Sequence, residues 1–269
     1  MSIFRVWQLA QFELTRLFAT KRGLLALGAF AMVWFMIQNY LIAQAVPFLS
    51  SPEFADITGQ LAGNIGLREL VSWPEAELAV FWIIALYSFP AFSLFVCSDQ
   101  TVGDRLRGTL RFISLRCTRE EILVGRFLGQ LIIIATLISL TVLATFILMI
   151  YRDLSLLGSG ALLSVSVTAQ LILIVMPFIA LMSLLNLVTS SSRLSVVLAI
   201  LLFTLGNALI SYLSYYFPIL SWLLYVYPGV QILDVAPQNS FSLSDWLLPV
   251  AQTMGLLTLS ILTFKRRSL

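Results

Sequence analysis

Histidine is absent from all 269 residues, and that one absence removes imidazole metal ligands, Ser-His catalysis and histidine pH switching together. Charge is nearly as scarce. Asp, Glu, Lys and Arg make up 11% of the chain, against 59% hydrophobic residues and a mean hydropathy of +0.97. A water-facing surface over a domain of this length needs far more charge, so lipid is the expected solvent for most of the chain. Two cysteines, Cys97 and Cys117, are too few for a disulfide framework, and free thiols are expected. The net charge of +3 is too small to suggest a nucleic-acid partner. The chain also has no Gly-Lys pair, and so no phosphate-binding G-x-x-x-x-G-K-[ST] loop.

What the chain has instead is apolar runs. A helix needs about 20 apolar residues to cross the hydrocarbon. Six stretches qualify: Leu24–Val46, Leu78–Cys97, Phe127–Ile150, Ala161–Val188, Leu194–Phe217 and Trp246–Phe264. Pro90, Pro177 and Pro249 fall inside them as tolerable kinks. Fourteen of the sixteen basic residues fall on one side of these spans: Arg5, Arg16, Lys21, Arg22, the six arginines from Arg105 to Arg126, Arg193, and Lys265 to Arg267. The other side keeps Arg68 and Arg152 with most of the acids, so both termini are expected in the cytoplasm. In the first 22 residues, Ile3, Val6, Trp7, Ala10, Leu14, Leu17 and Phe18 follow a helical rhythm, with Arg5, Gln8, Glu13 and Arg16 off that face. The pattern predicts an amphipathic interfacial helix over 1–22, leading into a retained first span. Ala43-Gln44-Ala45 offers the competing signal-peptidase reading, which so long a structured start disfavours.

The charges concentrate in one loop, 99–126, most of it in the string GDRLRGTLRFISLRCTREEILVGRFLG (Gly103–Gly129). Asp104 to Leu115 reads as a helix with Leu106, Leu110 and Ile113 on one stripe and Arg107 and Arg111 off it. Gly108 inside that helix suggests a close approach or a break. Thr118 with Glu121 three residues on fits a capping box, so a second helix starts there and runs into span three. A solvated loop obeying the charge rule explains the arginines but not an ordered apolar stripe; a docking surface for a cytoplasmic partner explains both.

This string resembles the signature of type-2 ABC export permeases: Gly108-Thr109-Leu110 match its G-T-L, Arg119 its arginine, and Gly125, Phe127 and Gly129 its glycine-phenylalanine run, with Asp104 where the family carries glutamate. The overall plan is similar to the six-span permeases that serve nitrous-oxide-reductase maturation. The resemblance implies an all-α membrane protein of six transmembrane helices with an N-terminal interfacial helix, one permease domain over 1–269. It further implies no catalysis and no cofactor in this chain, with ATP and Mg held by a separate P-loop ATPase present in two copies. That ATPase would dock on Asp104, Arg107, Gly108, Thr109, Leu110, Arg111, Ile113, Thr118, Arg119 and Glu121. The permease would pair with a second copy of itself or a homologue in a bacterial inner membrane and move its cargo outward. The resemblance also places spans two and five about the path, offering Trp82, Tyr87, Phe92, Asn207, Ser211 and Tyr212.

On the external side, 218–245 reads as two short apolar halves, Ile219–Val226 and Val230–Val235, folded at Pro228-Gly229. Trp222, Tyr225 and Tyr227 would sit at headgroup level. An aromatic belt accounts for these residues; the resemblance adds an external gate at Tyr227, Pro228 and Gly229. The acidic loop 47–77 is the candidate contact for an extracytoplasmic partner.

Two other classes stay open on the residues. Ion-coupled carriers generally hold an ionisable group in mid-membrane, and the six spans offer none, although sodium coupling through backbone carbonyls needs no such group. A non-transporting membrane scaffold is the other alternative. An intramembrane hydrolase lacks both the histidine and the paired aspartates its chemistry requires.

Overall fold

A computed structural model of the chain describes residues 2–49, 74–229 and 243–266, and every regular element among them is helical. Helix α1 (Ile3–Phe18) turns at Ala19-Thr20 into α2 (Lys21–Met36), where the Thr20 hydroxyl accepts the Gly23 amide at 3.1 Å. A wider π-type turn, Ile37–Ile42, carries α2 on to α3 (Ala43–Leu49). Next come α4 (Ala76–Val96), a short 3₁₀ turn at Cys97–Asp99, α5 (Val102–Leu106) and α6 (Thr109–Ser114). The two longest helices, α7 (Arg119–Arg152) and α8 (Leu157–Val188), follow. Then α9 (Ser192–Leu201) passes through a π-type turn at Leu202–Gly206 into α10 (Asn207–Tyr216), a 3₁₀ stretch covers Pro218–Val226, and α11 (Leu243–Arg266) closes the described chain.

Among the described residues six helical stretches are long and apolar enough to cross a membrane, each within a few residues of its expected counterpart at most ends. The chain is therefore an all-α, six-span membrane protein. Helix α8 sits at the centre, packed against α11, α7 and α4, with Ile179, Ala180, Met182 and Val175 fully buried. Buried Trp82, Phe81 and Phe89 of α4 complete the core from the other side. Helices α2 and α9–α10 ride on the outside, and most of their large apolar side chains are exposed. In lipid such exposure carries no penalty, because hydrocarbon solvates Leu and Phe as well as another helix does.

Charged ties close both ends of the bundle. At the end away from the termini, Arg152 at the foot of α7 pairs with buried Glu77 of α4 at 2.5 Å and donates to the Pro74 carbonyl at 3.3 Å. The acidic loop lies outside the described residues over 50–73, and so does the second external half, within 230–242.

Two expectations need correcting. Asp104 to Leu115 is not one helix: Gly108 sits at φ +72 and divides α5 from α6. That left-handed backbone is open to glycine and costly for other residues. Glu13 is not on the solvent face of α1 either, but 2% exposed against the protein. The described external half is 3₁₀ rather than α-helical, and the chain does turn at Pro228-Gly229, where Gly229 has φ +97.

Candidate functional site

The end of the bundle that carries both termini is built around α1. Gly125 and Gly129 of α7 form a G-x-x-x-G seam against it. A Cβ on Gly125 would lie 2.7 Å from Leu9 Cβ and 2.9 Å from the Val6 carbonyl; one on Gly129 would lie 2.8 Å from Glu13 Cβ. Glycine at these two sites lets the backbones approach closely, the device by which helices associate where lipid supplies no hydrophobic drive. Val6 and Ala10 are buried in the seam, while Ile3, Phe4, Trp7 and Phe12 on the far side of α1 stay exposed. The helix is thus apolar on two faces, one for protein and one for the bilayer interface.

Polar ties fix it in register. The Thr118 capping box forms as expected: its hydroxyl accepts the Glu121 amide at 3.3 Å, and Glu121 Oε2 accepts the Thr118 amide at 2.9 Å. The second carboxylate oxygen of Glu121 accepts the Ser2 amide at 2.6 Å, with Arg5 at 3.6 Å, so one residue caps both α7 and α1. Two turns along, Arg126 is 2% exposed and pairs with Asp104 of α5 and, at 3.9 Å, with Glu13 of α1. Gln130 donates to Glu13 at 3.1 Å and accepts from the Cys97 thiol at 3.8 Å. Farther along α1, Arg16 pairs with Asp99 at 2.8 Å, and Ser192 at the start of α9 donates to the same carboxylate at 3.1 Å. Burial pushes the Glu13 carboxyl above its ordinary range, with Arg126 and then Arg16 pulling the other way. These residues join α1, α4, α5, α7 and α9 at one level.

Against this frame the ten residues expected to dock a partner separate into two groups. Asp104 faces inward to Arg126 and accepts the Thr109 hydroxyl at 2.9 Å. Leu110 is 3% exposed in the core, and Ile113 is half-buried against it. Thr118 and Glu121 are the cap. Arg119 donates to the Phe264 and Lys265 carbonyls at 2.6 and 2.9 Å and lies 5.6 Å over the Phe264 ring, closing the C-terminus of α11. Gly108 is the break, while Thr109, Arg107 and Arg111 are exposed. The expected stripe is therefore split: Leu106 points out at 70% exposure while Leu110 and Ile113 point in. The outward apolar side chains are Leu106, Phe112 at 73% and Leu115 at 83%, set among Arg107, Arg111 and Arg116. The 3.6-residue count from Leu110 misses this face because the left-handed turn at Gly108 resets the helical phase between α5 and α6.

The loop is held from behind. Arg105 donates to the Thr189 carbonyl and, at 3.1 Å, to that of Leu187, occupying the C-terminal carbonyls of α8. Asn186 Nδ2 donates to the Cys97 carbonyl at 2.7 Å, and the Ser183 hydroxyl donates to Gln100 at 2.7 Å.

Of the six residues offered for a path, the five whose side chains are described do not converge within one chain. Trp82 is buried in the core, Tyr87 is exposed on α4, Phe92 faces α2, and Ser211 and Tyr212 are exposed on α10; the Asn207 side chain is not among those described. At the external turn, Gln252 of α11 donates to the Tyr225 and Tyr227 carbonyls at 2.7 and 3.0 Å, while the Tyr227 phenol lies against Gly206. Among the described residues no group of three or more His, Cys, Asp and Glu side chains could hold a metal ion.

Sequence reasoning missed the Glu13–Arg126–Gln130 centre. Its one local signal is an arginine flanked by two glycines at the head of an apolar span, a position that something must neutralise. The partner lies 113 residues away and has no signature of its own.

Residues 13–269 match a family model described as ABC-2 family transporter protein. No curated protein matches the chain.

Proposed function

The chain belongs to the ABC-2 transporter family and is a permease subunit of an ABC transporter; on that premise we propose that it works as an exporter half, docking a separate ATPase through the α5–α6 loop. The observation that carries the reading is the outward face of Leu106, Phe112 and Leu115, ringed by Arg107, Arg111 and Arg116, on a loop whose back is bonded to α7 and to the end of α8. Exposed Phe112 and Leu115 beyond the spans, with Leu106 at the end of span two, fit an apolar groove with an acidic rim. Two ATPase copies, each holding ATP and Mg, would serve two permease chains, identical or homologous, in a bacterial inner membrane with both termini cytoplasmic.

The ties suggest how force travels. ATP-driven closure of the two motors would press on α5–α6. Asp104 would pass the load to Arg126 of α7, Arg105 to the end of α8, and Arg119 to the end of α11. Because α7 is one unbroken helix from Arg119 to Arg152, a push at its capped start would reach the far face. The path between two chains would draw on Trp82, Tyr87, Phe92, Asn207, Ser211 and Tyr212, and Tyr227-Pro228-Gly229 would close it externally.

Phe112→Asp with Leu115→Asp tests the reading, since both side chains are solvent-facing and their loss should not unfold the bundle. Co-purified ATPase should fall by roughly tenfold or more, with transport lost, as expected when two apolar anchors leave an interface. Stoichiometric ATPase and intact transport in that variant would sink it.

A further inference from the structure

Where the corner between α1 and α2 meets the end of α4, a cavity of about 630 Å³ opens. Part of its lining is apolar: Leu17, Val96 and Ile133. Part is cationic: Arg16, Lys21 and Arg107, with Thr20 and the first turn of α2 also lining it. Two acids also line it, and both have other partners. Asp99 is bonded to Arg16 and Ser192, and Glu13 to Gln130 with Arg126 nearby. Arg16 is thereby partly neutralised, whereas Lys21 and Arg107 are solvent-facing and no carboxylate lies within ion-pair distance of either among the described residues.

We propose that this cavity holds a phosphate-bearing anion, the headgroup of an anionic phospholipid from the adjoining leaflet, with Lys21 and Arg107 as its counter-charges. Two features point to a phosphate ester. The volume falls in the range of ligand pockets, far above a single water. Two cations from separate segments face one space, and a helix N-terminus adds its positive end. The apolar lining selects the lipid source over a free ion, because span one begins at Gly23 and Val96 and Ile133 belong to spans two and three. Glycerol and the first acyl carbons would lie there while the phosphate meets the cations. Such an occupant bridges the α1–α2 corner, through Lys21, and the α5–α6 break, through Arg107, so leaflet composition bears on how the loop is held.

Native mass spectrometry of the full chain in detergent tests this with four probes: phosphatidylglycerol, phosphatidylcholine, dioleoylglycerol and glycerol 3-phosphate. A phosphatidylglycerol adduct, one per chain, should survive activation that strips phosphatidylcholine and dioleoylglycerol. Lys21→Gln with Arg107→Gln should lower the retained fraction by roughly tenfold or more, as removal of two surface cations from an anionic headgroup requires. Lys21→Arg with Arg107→Lys should keep it. Should the double variant fail to fold, Lys21→Gln alone is expected to move retention in the same direction. Binding of glycerol 3-phosphate by itself, with displacement of the lipid, would keep the phosphate chemistry but assign it to a soluble source. Equal retention of dioleoylglycerol, or an adduct unchanged in the glutamine variants, would overturn the site.

Discussion

Spans four and five are separated by a turn of a few residues and are almost equally apolar, with mean hydropathies of 2.6 and 2.2 over their most apolar 18 residues, yet 78% of that stretch is buried inside the chain in the first and 12% in the second. The contrast teaches what hydropathy measures in a membrane protein. It reports that a helix leaves water, not whether it meets lipid or protein, since both are apolar. What draws α8 to the centre is polar and steric. Asn186 and Ser183 bond to the turn after α4, Arg105 occupies the carbonyls at its C-terminal end, and small residues such as Ala180 and Gly160 admit close neighbours. Helices α9 and α10 have fewer such ties. They keep a π-type turn at Leu202–Gly206, and Tyr216 meets Tyr212 and Tyr215 edge to face at the surface. The molecule is a bonded block of α1, α4, α7, α8 and α11 with two outlying spans.

The sharpest way to break that block is Arg126→Leu. It leaves Glu13 and Asp104 without their buried counter-charge, a change that typically costs about 3–5 kcal/mol. Thermal unfolding in detergent should show a large fall in midpoint, and limited proteolysis should release α1 first; an unchanged midpoint would mean that the glycine seam alone holds α1.

The comparison between the two spans themselves is tested by a matched pair. Ile179→Ala in α8 should cost about 2–5 kcal/mol, the range for a fully buried branched side chain. Leu205→Ala in span five, 58% exposed, should stay within about 0.5 kcal/mol in the isolated chain. Equal losses would show that span five is packed too, against a second copy.

The smallest effect concerns pH. The carboxyl of Glu13 is held above its ordinary range, so its contribution to stability is fully present below the unfolded value and is lost as pH rises through the folded one. Glu13→Gln should remove that decline, and unfolding midpoints of the two proteins should diverge as pH rises from acid towards neutrality. Parallel curves would place the Glu13 charge outside the balance.

Much of this was legible in advance wherever the signal is local. Thr118 and Glu121 stand three residues apart and cap α7 as their spacing predicts, and Gly108 marked a break where the pattern alone suggested one helix. Phe112 and Leu115 were not legible as the outward face, because one left-handed residue rotates everything after it. Glu13 was not legible as a buried acid, because its distant partners Arg126 and Gln130 sit 113 and 117 residues away, both on α7.

By itself, then, the sequence determined six spans, an amphipathic first helix, a capped corner and the side on which the arginines gather. Each of these depends on periodicity, length or neighbouring residues. Tertiary structure alone decided which spans are core, which face of α1 meets protein, and which arginines bond inward rather than face a partner. Those outcomes depend on contacts between distant segments in a solvent as apolar as the protein interior, where composition no longer separates inside from outside.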